Sequence, residues 1–226
     1  MDVRAMVRMG VGLVLGGYLV TQVRKPSRWV GRPFARLMNK SHSDLTDWGL
    51  SHVAIEKSLN ILDVGCGGGR TVGKLAQMAT EGHVHGIDYA SGSVAESRTH
   101  NKQLIEAGRV QIEQASVSAL PFPDDTFDLV TAVETQYYWP NLRDDMREIL
   151  RVLKSGGTLL IIAENYKGGR LDWIEGPLMK FILRSSRLTP EDQRHLFASA
   201  GYESVQVVEE PRKGWICITG RKPVPA

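Results

Sequence analysis

Apolar residues recur along the chain in two periods. Runs in which every residue, or every second residue, is aliphatic or aromatic predict strands over 61–64, 83–88, 110–115, 127–133, 158–164, 204–210 and 215–221. Elsewhere apolar positions fall three and four apart, which predicts helices. The clearest covers 70–79, with Val72, Leu75, Ala76 and Ala79 on one face. Another covers 91–107, opened by Ser91 and stopped by Gly108. A third runs from its cap at Asn141 to Leu153, ended by Lys154-Ser155-Gly156-Gly157. A fourth covers 190–200, with Pro190 at its first position. Strands alternating with helices predict an α/β fold with a doubly wound, mostly parallel sheet. Strands 204–210 and 215–221 meet at 211–214 as a terminal antiparallel hairpin, which makes the sheet seven-stranded.

The first forty residues follow a different pattern. Residues 9–23 are uncharged and hold Val11, Leu13, Val14, Leu15, Leu19 and Val20. A bilayer span needs roughly 20 residues, so this stretch is short for one. Two readings stay open: a helix packed on the body or a partner, and an interfacial membrane helix with basic flanks. Pro26 marks a break, and 29–39 carries a further helical pattern. The expected organisation is an N-terminal helical arm or lid over 1–50 and one domain over 51–226, with an insertion at about 165–188.

Length and composition fit one globular domain: 226 residues, 42% hydrophobic and 23% charged. Cys66 and Cys217 cannot make a disulfide framework, and no metal-ligand spacing exists, so a reduced, cytoplasmic setting without metal is expected. Net charge is +3. Eight basic residues against Asp2 make residues 1–40 strongly basic, and the body is correspondingly acidic. A general polyanion binder is thereby excluded for the body.

Chemistry concentrates where strand 61–64 meets helix 70–79. Four glycines stand within five residues, Gly65-Cys66-Gly67-Gly68-Gly69. Glycine permits a tight turn and lets main chain approach a ligand. The spacing departs from the dinucleotide fingerprint, and Asp63 stands two residues before the first glycine. A carboxylate there opposes a pyrophosphate and suits a cation. Asp88 ends the second strand, 25 positions after Asp63, where nucleotide folds place an acid on the ribose hydroxyls. Tyr89 follows it, beside the expected base. The fourth strand ends in Glu134-Thr135-Gln136-Tyr137-Tyr138-Trp139, and ligands in such sheets bind beyond the carboxyl ends of strands.

Asp63-x-Gly65-x-Gly67, Asp88, Ala115-Ser116-Val117-Ser118-Ala119-Leu120-Pro121-Phe122 and Arg151-Val152-Leu153-Lys154-Ser155-Gly156-Gly157, in that order, resemble the motifs of class I S-adenosylmethionine-dependent methyltransferases. The likeness spans about 59–221 and extends to quinone-biosynthesis C-methyltransferases. It implies a Rossmann-like methyltransferase fold, with S-adenosyl-L-methionine as cofactor and S-adenosyl-L-homocysteine as product. Asp63 is then expected at the methionine ammonium beside Gly65, Cys66, Gly67 and Gly69, with Val133 and Glu134 nearby. Ser116 and the Val117 N–H would meet the adenine. Many relatives carry an acid at the position of Ser116, so that side chain's role departs from the pattern. Gln136, Tyr137, Tyr138 and Trp139 are the expected acceptor-binding residues. His42, His52, Glu134 and Tyr137 are the candidate bases, for acceptors that must lose a proton.

The expected function is in-line methyl transfer to a small-molecule acceptor. A protein or RNA methyltransferase stays open because of the basic arm. A non-catalytic cofactor-binding scaffold and a nicotinamide-dependent oxidoreductase also remain, since fold does not fix function. No Asn-Pro-Pro-Tyr-type motif points to DNA. Residues 1–40 are expected to serve peripheral membrane contact or helix packing, and a homodimer is the remaining partner expectation.

Overall fold

The computed structural model describes residues 43–164, 166 and 188–225. Of the arm expected over 1–50, residues 1–42, with His42 and the stretches 9–23 and 29–39, fall outside these residues, as do nearly all of 165–188. The described elements are α1 (Ser43–Leu50), β1 (Ile61–Val64), α2 (Arg70–Met78), β2 (Val84–Asp88), α3 (Ser91–His100), α4 (Lys102–Glu106), β3 (Val110–Gln114) and β4 (Phe127–Val133). After them come a single 3-10 turn (Gln136–Tyr138), α5 (Leu142–Val152), β5 (Leu153–Glu164), α6 (Pro190–Ala200), β6 (Glu203–Glu210) and β7 (Trp215–Arg221). The strands form one sheet in the order β3-β2-β1-β4-β5-β7-β6. β1 to β5 pair in parallel, and β7 lies antiparallel between β5 and β6. Strand order reverses between β1 and β4, and such a switch point opens a crevice at the carboxyl ends.

The two-residue period of a strand sorts side chains between two cores. Leu62, Val64, Val130, Leu159, Ile161, Ile216 and Ile218 face Met146, Ile149 and Phe197 of α5 and α6. Their neighbours Ile61, Leu129, Leu160, Ile162 and Cys217 face Leu45 and Leu50 of α1 and Val72, Leu75 and Ala76 of α2. β5 is apolar without alternation because both of its faces are covered. α1 lies so close that a Cβ on Gly49 would fall 2.4 Å from Ile162.

Three elements differ from the sequence expectation. The helix expected over 91–107 breaks at Asn101, whose side-chain amide turns back to Ser97 O at 3.0 Å and across to Gly69 O at 2.8 Å. This ties the helix to the glycine turn. β5 starts at Leu153 and not at 158, because Phe127 pairs with Leu153 and the ladder then bulges before Leu129 meets Thr158. Gly156, with φ of 76°, supplies the bulge. Asn141 caps α5 through its own backbone N–H, accepted by Asp145 Oδ2 at 2.9 Å, and its side chain caps nothing. At the free edge of β3, the Arg98 guanidinium takes the Ile112 carbonyl at 2.7 and 3.1 Å. A carbonyl covered in this way cannot template another strand.

Candidate functional site

A cleft of about 860 Å³ opens beyond the carboxyl ends of β1 to β4. Its floor is the turn after β1. The N–H groups of Gly65 and Cys66 both donate to Ile87 O, at 2.8 and 2.9 Å, which folds the turn across β2. Gly65 has φ of 74°, and a Cβ there would lie 2.2 Å from Thr135 Oγ1. Position 65 therefore excludes a side chain on two counts. Gly67 has φ of 52° and open space where a Cβ would sit. Its N–H reaches Asp88 Oδ2 at 3.0 Å.

Asp88 lines the cleft and is 7% exposed. The Ala90 N–H holds its other oxygen at 2.8 Å. Two backbone donors thus fix the carboxylate, and each oxygen keeps accepting capacity for a ligand. Burial raises its pKa, and the two N–H groups oppose that rise. Tyr89, 40% exposed, stands beside it on the wall, followed by Gln114, Ala115, Ser116 and Val117 at the end of β3.

Asp63 is sealed behind this wall. It is 2% exposed, and Thr131 Oγ1 donates to it at 2.7 Å across the β1–β4 register. Burial pushes its pKa up to about 7, against the Thr131 hydrogen bond and with the nearby Asp88 charge adding to the rise. Cys66 is buried with Sγ 3.7 Å from Ser97 Oγ, and burial with the two nearby aspartates pushes its thiol well up. A thiol so shifted stays protonated and inert.

The end of β4 makes the opposite wall. Thr135, Tyr138, Trp139 and Pro140 line it. Glu134 has φ of 56° and turns its carboxyl away, toward the end of β5, where Oε1 accepts the Glu164 N–H at 2.5 Å. The Tyr137 hydroxyl lies 2.5 Å from Glu164 O and 3.3 Å from Glu134 Oε1. Burial and the Glu164 charge push Glu134 up to about 8. Burial first, then the two carboxylates, push the Tyr137 phenol well up. Both side chains clasp the backbone of Glu164. A phenol held this way is a poor base, and a carboxyl that titrates near 8 holds its proton at neutral pH.

Of the residues singled out from sequence, Gly65, Asp88, Tyr89, Ser116, Val117, Tyr138 and Trp139 share the cleft, and Gly67 joins them through Asp88. Asp63, Cys66, Gly69, Val133, Glu134, Gln136 and Tyr137 are not on its wall. Gln136 is 3% exposed, inside the 3-10 turn. His52 is exposed and stands edge-on to Trp48 at 4.9 Å, away from the cleft. Val64, Ile87, Gln114, Ala115, Thr135 and Pro140 line the cleft without having been singled out. The signal for Gln114 and Thr135 was available, since Gln114 closes β3 and Thr135 follows the end of β4 at the same carboxyl edge.

S-adenosylmethionine fits this donor set. Asp88 offers two anchored acceptors for ribose hydroxyls, Tyr89 an exposed ring face, and the glycine turn an open approach. Two buried carboxylates beside that turn, Asp63 and Asp88, oppose a pyrophosphate and favour a cationic ligand. Among the described residues no cluster of side chains could hold a metal, and no helix is long and apolar enough to cross a membrane.

Comparison with known proteins agrees. A methyltransferase-domain family model matches residues 62–161. A sterol 24-C-methyltransferase of Neurospora crassa is 28% identical over 54% of this chain and 33% of its own length. A demethylmenaquinone methyltransferase of Listeria welshimeri is 33% identical over 48% of this chain and 46% of its own. The chain thus spans less than half the length of either relative. A chain from the solved complex of the Haloferax volcanii Trm112 methyltransferase activator and a methyltransferase superposes with a TM-score of 0.74 at 20% identity, covering 85% of this chain and 95% of that one. That likeness concerns the fold, whereas the domain match and the two sequence relatives, together with a turn and an anchored acid that suit a sulfonium nucleoside, identify residues 62–161 as a methyltransferase domain of the class I S-adenosylmethionine-dependent type.

Proposed function

We propose that the chain transfers the methyl group of S-adenosylmethionine to a small, largely apolar acceptor. The observation that carries this reading is Asp88, pinned on the cleft wall by the Gly67 and Ala90 N–H groups with acceptor capacity left over. When bound, the cofactor supplies a methyl group already activated on a sulfonium. The protein's part is then binding, alignment and exclusion of water. Asp88 takes the ribose hydroxyls, Tyr89 lies along the base, and the Val117 N–H meets the ring nitrogen. Tyr138 and Trp139 present aromatic surface on the wall formed by the end of β4. Such surface shields a reacting cation from water and attracts it.

No candidate base from the sequence reaches the cleft among the described residues. An acceptor that arrives as a thiolate, enolate or other carbon nucleophile suits this wall better than a neutral amine or alcohol. The names of the sterol and demethylmenaquinone relatives support a carbon acceptor. The test is a panel of quinols, sterols, thiols, phenols and amines incubated with radiolabelled methyl donor. Label on a carbon or sulfur acceptor, and none on amines, is the expected result. Turnover confined to a protein or RNA would overturn it.

A further inference from the structure

Gln114 and Ser116 are the polar side chains that the end of β3 gives to the cleft wall, beside Tyr89. We propose that Gln114 accepts the adenine amino group and discriminates adenine from purines that lack it. This inference rests on S-adenosylmethionine binding in the cleft as set out above.

Gln114 closes β3 and lies on the cleft wall with Tyr89 and Ser116. Its Nε2 donates to the Tyr89 carbonyl at 3.0 Å. That bond sets the two ends of the amide apart: the nitrogen faces Tyr89, and Oε1 is left to accept. Ser116 is differently placed. Its Oγ already accepts the Ser118 N–H at 3.2 Å, and its carbonyl accepts the Ala119 N–H at 3.1 Å, both within one local turn. Asp88 is held by two backbone N–H groups at the ribose position. Val117 offers backbone only. At the end of β3 the glutamine oxygen therefore has both lone pairs open among the described residues where the Ser116 hydroxyl has one taken, and the exocyclic amino group is the donor that fits it.

A neutral acceptor also has a physical advantage here. Asp88 already places one buried carboxylate on this wall, and a second beside it would make ionisation of both more costly. The tether to Tyr89 holds the glutamine beside the aromatic ring, so one side chain orients both the edge contact and the segment carrying the stacking face.

The test is calorimetric titration with S-adenosylhomocysteine and with its analogue bearing unsubstituted purine in place of adenine. The wild-type protein should prefer adenine by about tenfold, the worth of one good hydrogen bond. Gln114→Ala should abolish that preference, while Ser116→Ala should keep it. Gln114 is exposed, so both variants should fold as the parent, as checked by circular dichroism. An unchanged preference in Gln114→Ala, or its loss in Ser116→Ala, overturns the inference. If the wild-type protein binds neither ligand, the cofactor reading fails and takes this inference with it.

Discussion

Asp63 gives the sharpest quantitative test, because its carboxyl is buried beside another. Its pKa is about 7 in the folded chain, against 3.8 for a free side chain. A raised pKa means that the proton favours the folded state. Stability from this group is complete below the unfolded pKa and is lost as pH rises through the folded one. Full ionisation costs about 4 kcal/mol at roughly 1.4 kcal/mol per pH unit of difference. Only part of this is lost in an accessible window: between about pH 6 and about pH 8 the linkage integral amounts to about 1.4 kcal/mol. Asp63→Asn keeps the shape and the acceptor for Thr131 Oγ1, and removes the charge. Urea unfolding of both proteins at the two pH values isolates the group, because Asp88, Glu134 and every other titrating residue are common to both. The wild-type protein should lose about 1.4 kcal/mol more than the variant on going to the higher pH. Parallel pH profiles would show that Asp63 is not a buried, reluctant carboxylate, and the electrostatic account of the turn would fail with it.

Asp88→Asn should weaken S-adenosylhomocysteine binding by roughly tenfold or more in calorimetry, since a charged acceptor becomes a neutral one; unchanged affinity would move the ribose elsewhere. Gly65→Ala should cost at least about 2 kcal/mol in urea unfolding, because it adds strain at positive φ to a clash with Thr135. Tyr137→Phe should lose about 1 kcal/mol of stability with its bond to Glu164 O, and leave cofactor affinity nearly unchanged; a collapse in affinity would put the phenol in the site. Thr189→Ala removes one half of a capping box with Asp192 and should cost about 1 kcal/mol in the same unfolding assay.

Much of this molecule could be read from residue order. Aliphatic runs such as Ile61–Val64 and Phe127–Val133 announce buried parallel strands, because a strand covered on both faces has no polar period to show. Clustered glycines and the strand-end acid Asp88 announce the ligand corner, because local backbone geometry and sheet topology are nearly sequence-local properties. What a carboxylate does at that corner is not local. Asp63 stands one residue before the end of β1 and Asp88 at the end of β2, yet only the sheet register sets Asp63 against Thr131 and turns Asp88 toward Gly67 and Ala90. Glu134 and Tyr137 read as cleft residues until the positive φ of Glu134 and the end of β5 draw them to Glu164. Gln114 gains meaning only from its distance to Tyr89, which is 25 positions away in the chain. Hydrophobic period settles which residues are buried and in what element, but which polar groups meet depends on strand neighbours and their stagger, and these the folded chain alone decides.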